Sequence, residues 1–179
     1  TNGTGDREFH GWARRLTYYE TQLGHDITAY DLGVRADTSS LISKRWRSES
    51  RVRLTKEYNC GLVFSFGTND MAMEDGILRV SLEDSINNAK KILAEANAWL
   101  PTLWVGPPPV NDDNMPFASL PGRERFFSST RIGALNVSYK YLAQTLDIPY
   151  LDVFTPLSGN PEWISSFHSD DGVHPSKKG

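Results

Sequence analysis

The stretch Leu62-Val63-Phe64-Ser65-Phe66-Gly67-Thr68-Asn69-Asp70 decides how this chain is read. It begins with a short, nearly continuous apolar run, as expected of a strand covered on both faces in a parallel sheet. Gly67 ends the run and a polar turn follows. Working outward, segments of strand and helix character alternate. Upstream, Phe9, Trp12, Leu16, Tyr19 and Leu23 recur at steps of three and four and predict a helix. Ile27 to Leu32 predicts a strand, and Asp37 stands where it can cap a helix carrying Leu41, Ile42 and Trp46. Downstream, Ser81 opens the clearest helix, with Leu82, Ile86, Ala89, Leu93, Ala96 and Leu100 on one stripe. Thr102 to Val105 predicts a strand halted by Gly106 and the prolines that follow. Ile132, Leu135, Tyr139, Leu142 and Leu146 mark another helix, and Pro149 to Phe154 another strand.

This alternation implies an α/β fold, a parallel sheet with helices on both faces. Without internal repeats or a low-complexity linker, residues 1–179 read as one domain. The stretch from Pro107 to Arg125 is long, polar and rich in proline, and it leaves the carboxyl end of a strand. Ligands bind at that edge of open parallel sheets. The stretch reads equally as a substrate lid or as an irregular connection.

With 39% hydrophobic and 23% charged residues over 179 positions, the composition is that of an ordinary globular domain. A net charge of −3 argues against a nucleic-acid partner. The short basic clusters Lys44-Arg45-Trp46-Arg47 and Arg123-Glu124-Arg125 read as solvated faces. No apolar run reaches membrane-spanning length. Cys60 is the sole cysteine, so no intrachain disulfide forms; it reads as a core thiol, which fits a reducing, cytoplasmic setting. The Thr1-Asn2-Gly3 start gives no basis for judging a signal peptide.

The chemistry lies at the strand ends. In Asp171-Gly172-Val173-His174-Pro175 an acid and a histidine three apart can share one turn. The carboxylate then reaches one imidazole nitrogen, and the other is left to take a proton from a nucleophile. Asn69 follows a strand and can donate its amide hydrogens into the crevice. Gly33 also follows a predicted strand, and a glycine lets its N–H approach a substrate oxygen closely. Asp170 competes with Asp171 but lacks the three-residue offset. His10 and His25 read as surface residues, and His168 has no partner at matching spacing. Trp163 and Phe167 line either an acyl pocket or the packed rim. No Cys, His and carboxylate cluster has metal-ligand spacing.

In their order along the chain, these blocks resemble the SGNH or GDSL hydrolases. That family carries Gly-Asp-Ser-Leu-Thr-x-Gly, a block centred on glycine, Gly-x-Asn-Asp, and a final Asp-x-x-His. Here Thr1-Asn2-Gly3 is similar to the tail of the first block, followed by Gly33, Gly67-Thr68-Asn69-Asp70 and Asp171-Gly172-Val173-His174. The resemblance implies a flavodoxin-like three-layer α/β/α sandwich with a parallel sheet. It also implies an enzyme that hydrolyses small-molecule acyl esters, thioesters or acetylated sugars without a cofactor. Catalytic roles then fall to His174 as base, Asp171 as its orienting acid, and Asn69 and Gly33 as oxyanion donors.

It further implies a nucleophilic serine two positions ahead of Thr1, on a first strand that the family places between its second and third. That strand and the helix after His174 are expected beyond the two ends of the sequence. A gap of roughly 10 Å, about two strand spacings, would leave two unpaired edges, so the segment is not expected to fold alone. Two rival readings stand beside the esterase. One is a non-catalytic binding module on the same fold. The other is a flavodoxin-like cofactor binder, for which Thr1-Asn2-Gly3-Thr4-Gly5 would be the phosphate loop.

Overall fold

The structure is a computed structural model that describes residues 3–6, 8, 10–120, 123–168 and 171–179. Helix α1 (Gly11–Gln22) follows the spacing of Trp12, Leu16 and Tyr19. Helix α2 (Ser39–Arg51) leads to strand β1 (Leu62–Ser65), then β2 (Met73–Glu74) and β3 (Ile77–Leu78). Helix α3 (Leu82–Asn97) starts where Ser81 accepts the N–H of Asp84, as the sequence predicts. Strand β4 (Thr102–Val105) has the predicted bounds. A short 3₁₀ turn (Asp112–Asn114) precedes β5 (Phe117–Leu120) and β6 (Arg123–Phe126). Helix α4 (Ser129–Thr145) leads to β7 (Tyr150–Leu151), α5 (Phe154–Leu157) and α6 (Pro161–Ser165). The chain closes with β8 (Phe167–His168) and β9 (Asp171–Pro175).

Strands β1, β4 and β7 form a parallel sheet in that order. Strand alternation sends Leu62, Phe64 and Trp104 to one face, where α2, α3 and α4 cover them. An aromatic cluster fills the space. Trp46 meets Phe64 edge-on at 5.4 Å, and Tyr139 packs on Phe66 and Trp104 at 5.9 and 4.3 Å. Trp104, Ile92, Leu93, Ile132 and Leu135 are fully buried. The other face is less covered than the sequence predicts. Val63 is 54% exposed, and α1 buries none of its residues although its apolar stripe forms.

Several expectations are corrected. Ile27 to Leu32 joins no sheet, because a strand exists only through its ladder, and among the described residues β1 pairs with β4 alone. Asp37 does not cap α2. Its carboxylate pairs with Arg45 at 2.8 Å, and the Ser39 N–H is taken by Asp70 at 2.7 Å. Cys60 is half-buried, its thiol 3.5 Å from the Thr55 carbonyl, rather than a core residue.

The stretch from Pro107 to Arg125 is more ordered than either reading of it. Strands β5 and β6 join β2 and β3 in an antiparallel sheet in the order β3-β2-β6-β5. Arg125, predicted to be solvated, is buried in this sheet, 3.2 Å from Glu74 on the neighbouring strand. No described helix is long and apolar enough to cross a membrane.

Candidate active site

Strand β9 folds back on β8, and its first side chain closes a turn on itself. Asp171 Oδ1 accepts the N–H groups of Val173 and His174 at 2.9 and 3.0 Å. Its Oδ2 lies 2.8 Å from His174 Nδ1. Partial burial disfavours the charged carboxyl, but the His174 ring and the two N–H groups outweigh it. The Asp171 pKa therefore lies below the ordinary carboxylate value. A carboxylate on Nδ1 keeps the ring proton there and leaves the lone pair on Nε2.

Neighbouring elements fix this pair. The Asn111 N–H, at the start of the 3₁₀ turn that follows β4, donates to the Gly172 carbonyl at 2.8 Å. Phe117 on β5 meets the His174 ring edge-on at 5.3 Å. Gly5 packs on the main chain of His174 and Pro175, with a φ of +88°. Asp6, beside it, is buried and 2.6 Å from Arg15, and Lys177 pairs with Glu8 at 3.0 Å. The amino-terminal loop and β9 are thus tied together.

Asn69 lies in the turn that leaves β1. Gly67 has φ +120°, and a side chain there would strike Tyr139 at 2.9 Å, so this turn requires glycine. The Gly67 carbonyl accepts the N–H groups of Asp70 and Met71, and Asn69 remains half-exposed at the turn. Asp70 points inward and anchors the turn to the start of α2 through Ser39. Burial raises the Asp70 carboxyl, and its bonds to Ser39 and the nearby Arg79 charge offset this only in part.

Gly33 is placed differently from Asn69. It is exposed, and its N–H donates to Asp31 Oδ1 at 2.8 Å, an acceptor on its own loop. Three residues on, Ala36 adopts φ +66°, a conformation costly for any residue with a Cβ. Its N–H has no acceptor among the described residues. Its carbonyl accepts Arg79 Nη2 at 2.9 Å, while Nη1 of the same guanidinium lies 3.4 Å from the Asn69 carbonyl. Ala36 is a candidate that sequence reasoning misses, since a search for glycine stops at Gly33.

Asp171 and His174 are therefore joined directly, and Asn69 lies in the turn that follows the carboxyl end of β1. No hydrogen bond links Asn69 to His174. Asp170 lies outside the described residues. Trp163 lines a cavity of about 270 Å³, with Pro109, Asn111 and Ser129 on its wall. Its indole N–H donates to the Pro109 carbonyl at 3.1 Å, and its ring meets Phe167 edge-on.

Solved structures with this fold include the lipase/acylhydrolase of Enterococcus faecalis. It is 17% identical, with a TM-score of 0.73 over 94% of this chain and 77% of that one. The psychrotrophic esterase EstA of a Pseudoalteromonas species is 15% identical, with a TM-score of 0.67 over 98% and 82%. A GDSL-like lipase of Bacteroides thetaiotaomicron is 18% identical, with a TM-score of 0.61 over 94% and 76%. At such identities the likeness speaks for the fold, a three-layer α/β/α arrangement. No curated protein matches the chain significantly. The model of the GDSL-like lipase/acylhydrolase family matches residues 1–179 from end to end. With its sheet, its Asp-His turn and its Asn69 turn in place, the chain belongs to that family and is an ester hydrolase.

Proposed function

We propose that the protein cleaves carboxylic esters through a Ser-His-Asp triad and an oxyanion hole. The observation that carries this reading is the 2.8 Å contact between His174 Nδ1 and Asp171 Oδ2. His174 Nε2 would take the proton of the attacking serine and return it to the leaving alcohol, with Asp171 holding the tautomer. The packing of Gly5 on the main chain of His174 supports a nucleophile that meets the ring from the side of the amino-terminal loop. Water would then hydrolyse the acyl-enzyme.

The oxyanion would accept hydrogen bonds from the serine N–H, the Asn69 side-chain amide and a loop N–H. Ala36 suits the last role better than Gly33. Its N–H is unclaimed among the described residues, and Arg79 holds it to the Asn69 turn. The substrate is a small-molecule acyl ester.

The test is labelling of the full-length protein with a fluorophosphonate ester, followed by mass spectrometry. A single adduct on a serine, slowed in His174→Ala, is the expected result. Ester turnover without an adduct overturns the covalent serine. Neither turnover nor adduct overturns the hydrolase and favours a binding module.

A further inference from the structure

We infer that Arg79 is a positioning residue of the oxyanion hole, one planar fork that sets the spacing between the loops of Ala36 and Asn69; this rests on the reading just proposed. Those loops lie at the carboxyl ends of different segments, and oxyanion donors act only if their separation is held to a fraction of an ångström. The guanidinium spans them. Nη2 donates to the Ala36 carbonyl at 2.9 Å and Nη1 to the Asn69 carbonyl at 3.4 Å. The sequence separations are 43 and 10 residues, so neither contact follows from local backbone geometry.

The fork is itself fixed. The Arg79 side chain is 15% exposed, which strengthens its charge-assisted bonds to the carbonyls. Its N–H donates to the Ala72 carbonyl at 3.0 Å, and the next N–H, of Val80, to Asp70 at 3.2 Å. Glu74 lies 3.6 Å from Nε and 3.2 Å from Arg125 Nε, so two cations share one carboxylate. The carbonyl contact at 2.9 Å is the tighter one, so a simple ion pair does not account for the placement. The small sheet that carries Glu74 and Arg125 also carries Phe117, which meets the His174 ring. Arg79 therefore ties the donor loops to the element that packs on the base. Lysine cannot replace it, because an ammonium is a point donor without the flat fork.

The test uses the full-length protein and a short-chain nitrophenyl ester, comparing wild type, Asn69→Ala, Arg79→Lys and Arg79→Ala. Arg79→Lys is expected to lower kcat roughly tenfold or more with KM changed less than about twofold, and Arg79→Ala to lower it further. Millimolar guanidinium should restore part of the kcat of Arg79→Ala. In an Asn69→Ala background, Arg79→Lys should cost less, since one of the two donors whose spacing it sets is gone. A kcat within about twofold of wild type, or an equal loss in both backgrounds, overturns the inference. If both Arg79 variants lose their cooperative melt, the role is merely structural and the inference falls. An active wild type in which Asn69→Ala is crippled and Arg79→Lys is silent overturns Arg79 alone. A wild type with neither turnover nor phosphonate adduct overturns the hydrolase reading and this one with it.

Discussion

Gly5 lies flat against the main chain of His174: a methyl group on Gly5 would sit 2.7 Å from His174 Cβ and 2.8 Å from its carbonyl oxygen. The φ of +88° makes the position doubly intolerant, because any Cβ there is strained before it meets a neighbour. Gly5→Ala should therefore push the amino-terminal loop off β9. The backbone strain alone is about 1–2 kcal/mol. A shift near the base of this kind should lower kcat by about tenfold to a hundredfold while KM changes little. Steady-state kinetics beside a thermal melt check it. Wild-type kcat in a folded Gly5→Ala variant would show that the loop does not set the position of His174.

Asn69 should carry the oxyanion without carrying the fold. Its side chain is half-exposed, whereas the turn is held by Gly67 and Asp70. Asn69→Ala is expected to lower kcat by roughly 10²–10³-fold, the usual loss of one such donor. The melting temperature should stay near that of the wild type. Asp70→Ala should do the reverse: it strips the acceptor from the Ser39 N–H at the start of α2 and destabilises the fold, by about 1–3 kcal/mol for an orphaned buried donor. If Asn69→Ala turns over a good ester at the wild-type rate, Asn69 is only a turn residue.

What the sequence discloses and what it hides follow one division, between local and distant causes. Strand β4 has its predicted bounds because Pro101 and Gly106 punctuate it. The Asp171–His174 pair is legible because both partners lie on one turn. Ser81 caps α3 through a contact three residues away. By contrast, Ile27 to Leu32 looks like a strand but needs a ladder neighbour, which periodicity cannot supply. The start of α2 is set by Asp70, 31 residues further on, so Asp37 is misread as its cap. Arg125 reads as solvated because its partner Glu74 is 51 residues away. The antiparallel sheet of β2, β3, β5 and β6 escapes notice because its strands are short and two of them hold only two residues each.

Acid should weaken the tie between Asp6 and Arg15 in the amino-terminal loop. Desolvation raises the Asp6 carboxyl, but the Glu8 N–H and the Arg15 guanidinium outweigh it and hold Asp6 at about 2. The unfolded value is about 3.9, so the folded pKa is the depressed one. The stabilisation is therefore present in full above about pH 4 and is lost as pH falls through about 2. Asp6→Asn should lower the melting temperature near neutral pH, and the gap to the wild type should close on acidification toward about pH 2. A gap that stays constant over this range shows that the Asp6–Arg15 contact does not stabilise the fold through its charge.

The geometry around Asp171 separates its two functions. Oδ1 takes two backbone N–H groups, and Oδ2 alone faces the imidazole. In Asp171→Asn the amide oxygen can keep the backbone bonds, so the turn should survive. The amide nitrogen then presents hydrogens to Nδ1, which forces the ring proton onto Nε2 and removes the lone pair that accepts the nucleophile's proton. The expected loss in kcat is on the order of 10²–10⁴-fold with a nearly unchanged melt. His174→Ala should cost at least as much, since no group remains to accept the proton. Asp170→Asn, outside the described residues, is expected to be silent. Steady-state kinetics and melts of the wild type and the three variants decide the matter. A crippled Asp170→Asn beside a silent Asp171→Asn would move the orienting carboxylate to Asp170. A His174→Ala variant with the wild-type rate would remove the triad altogether.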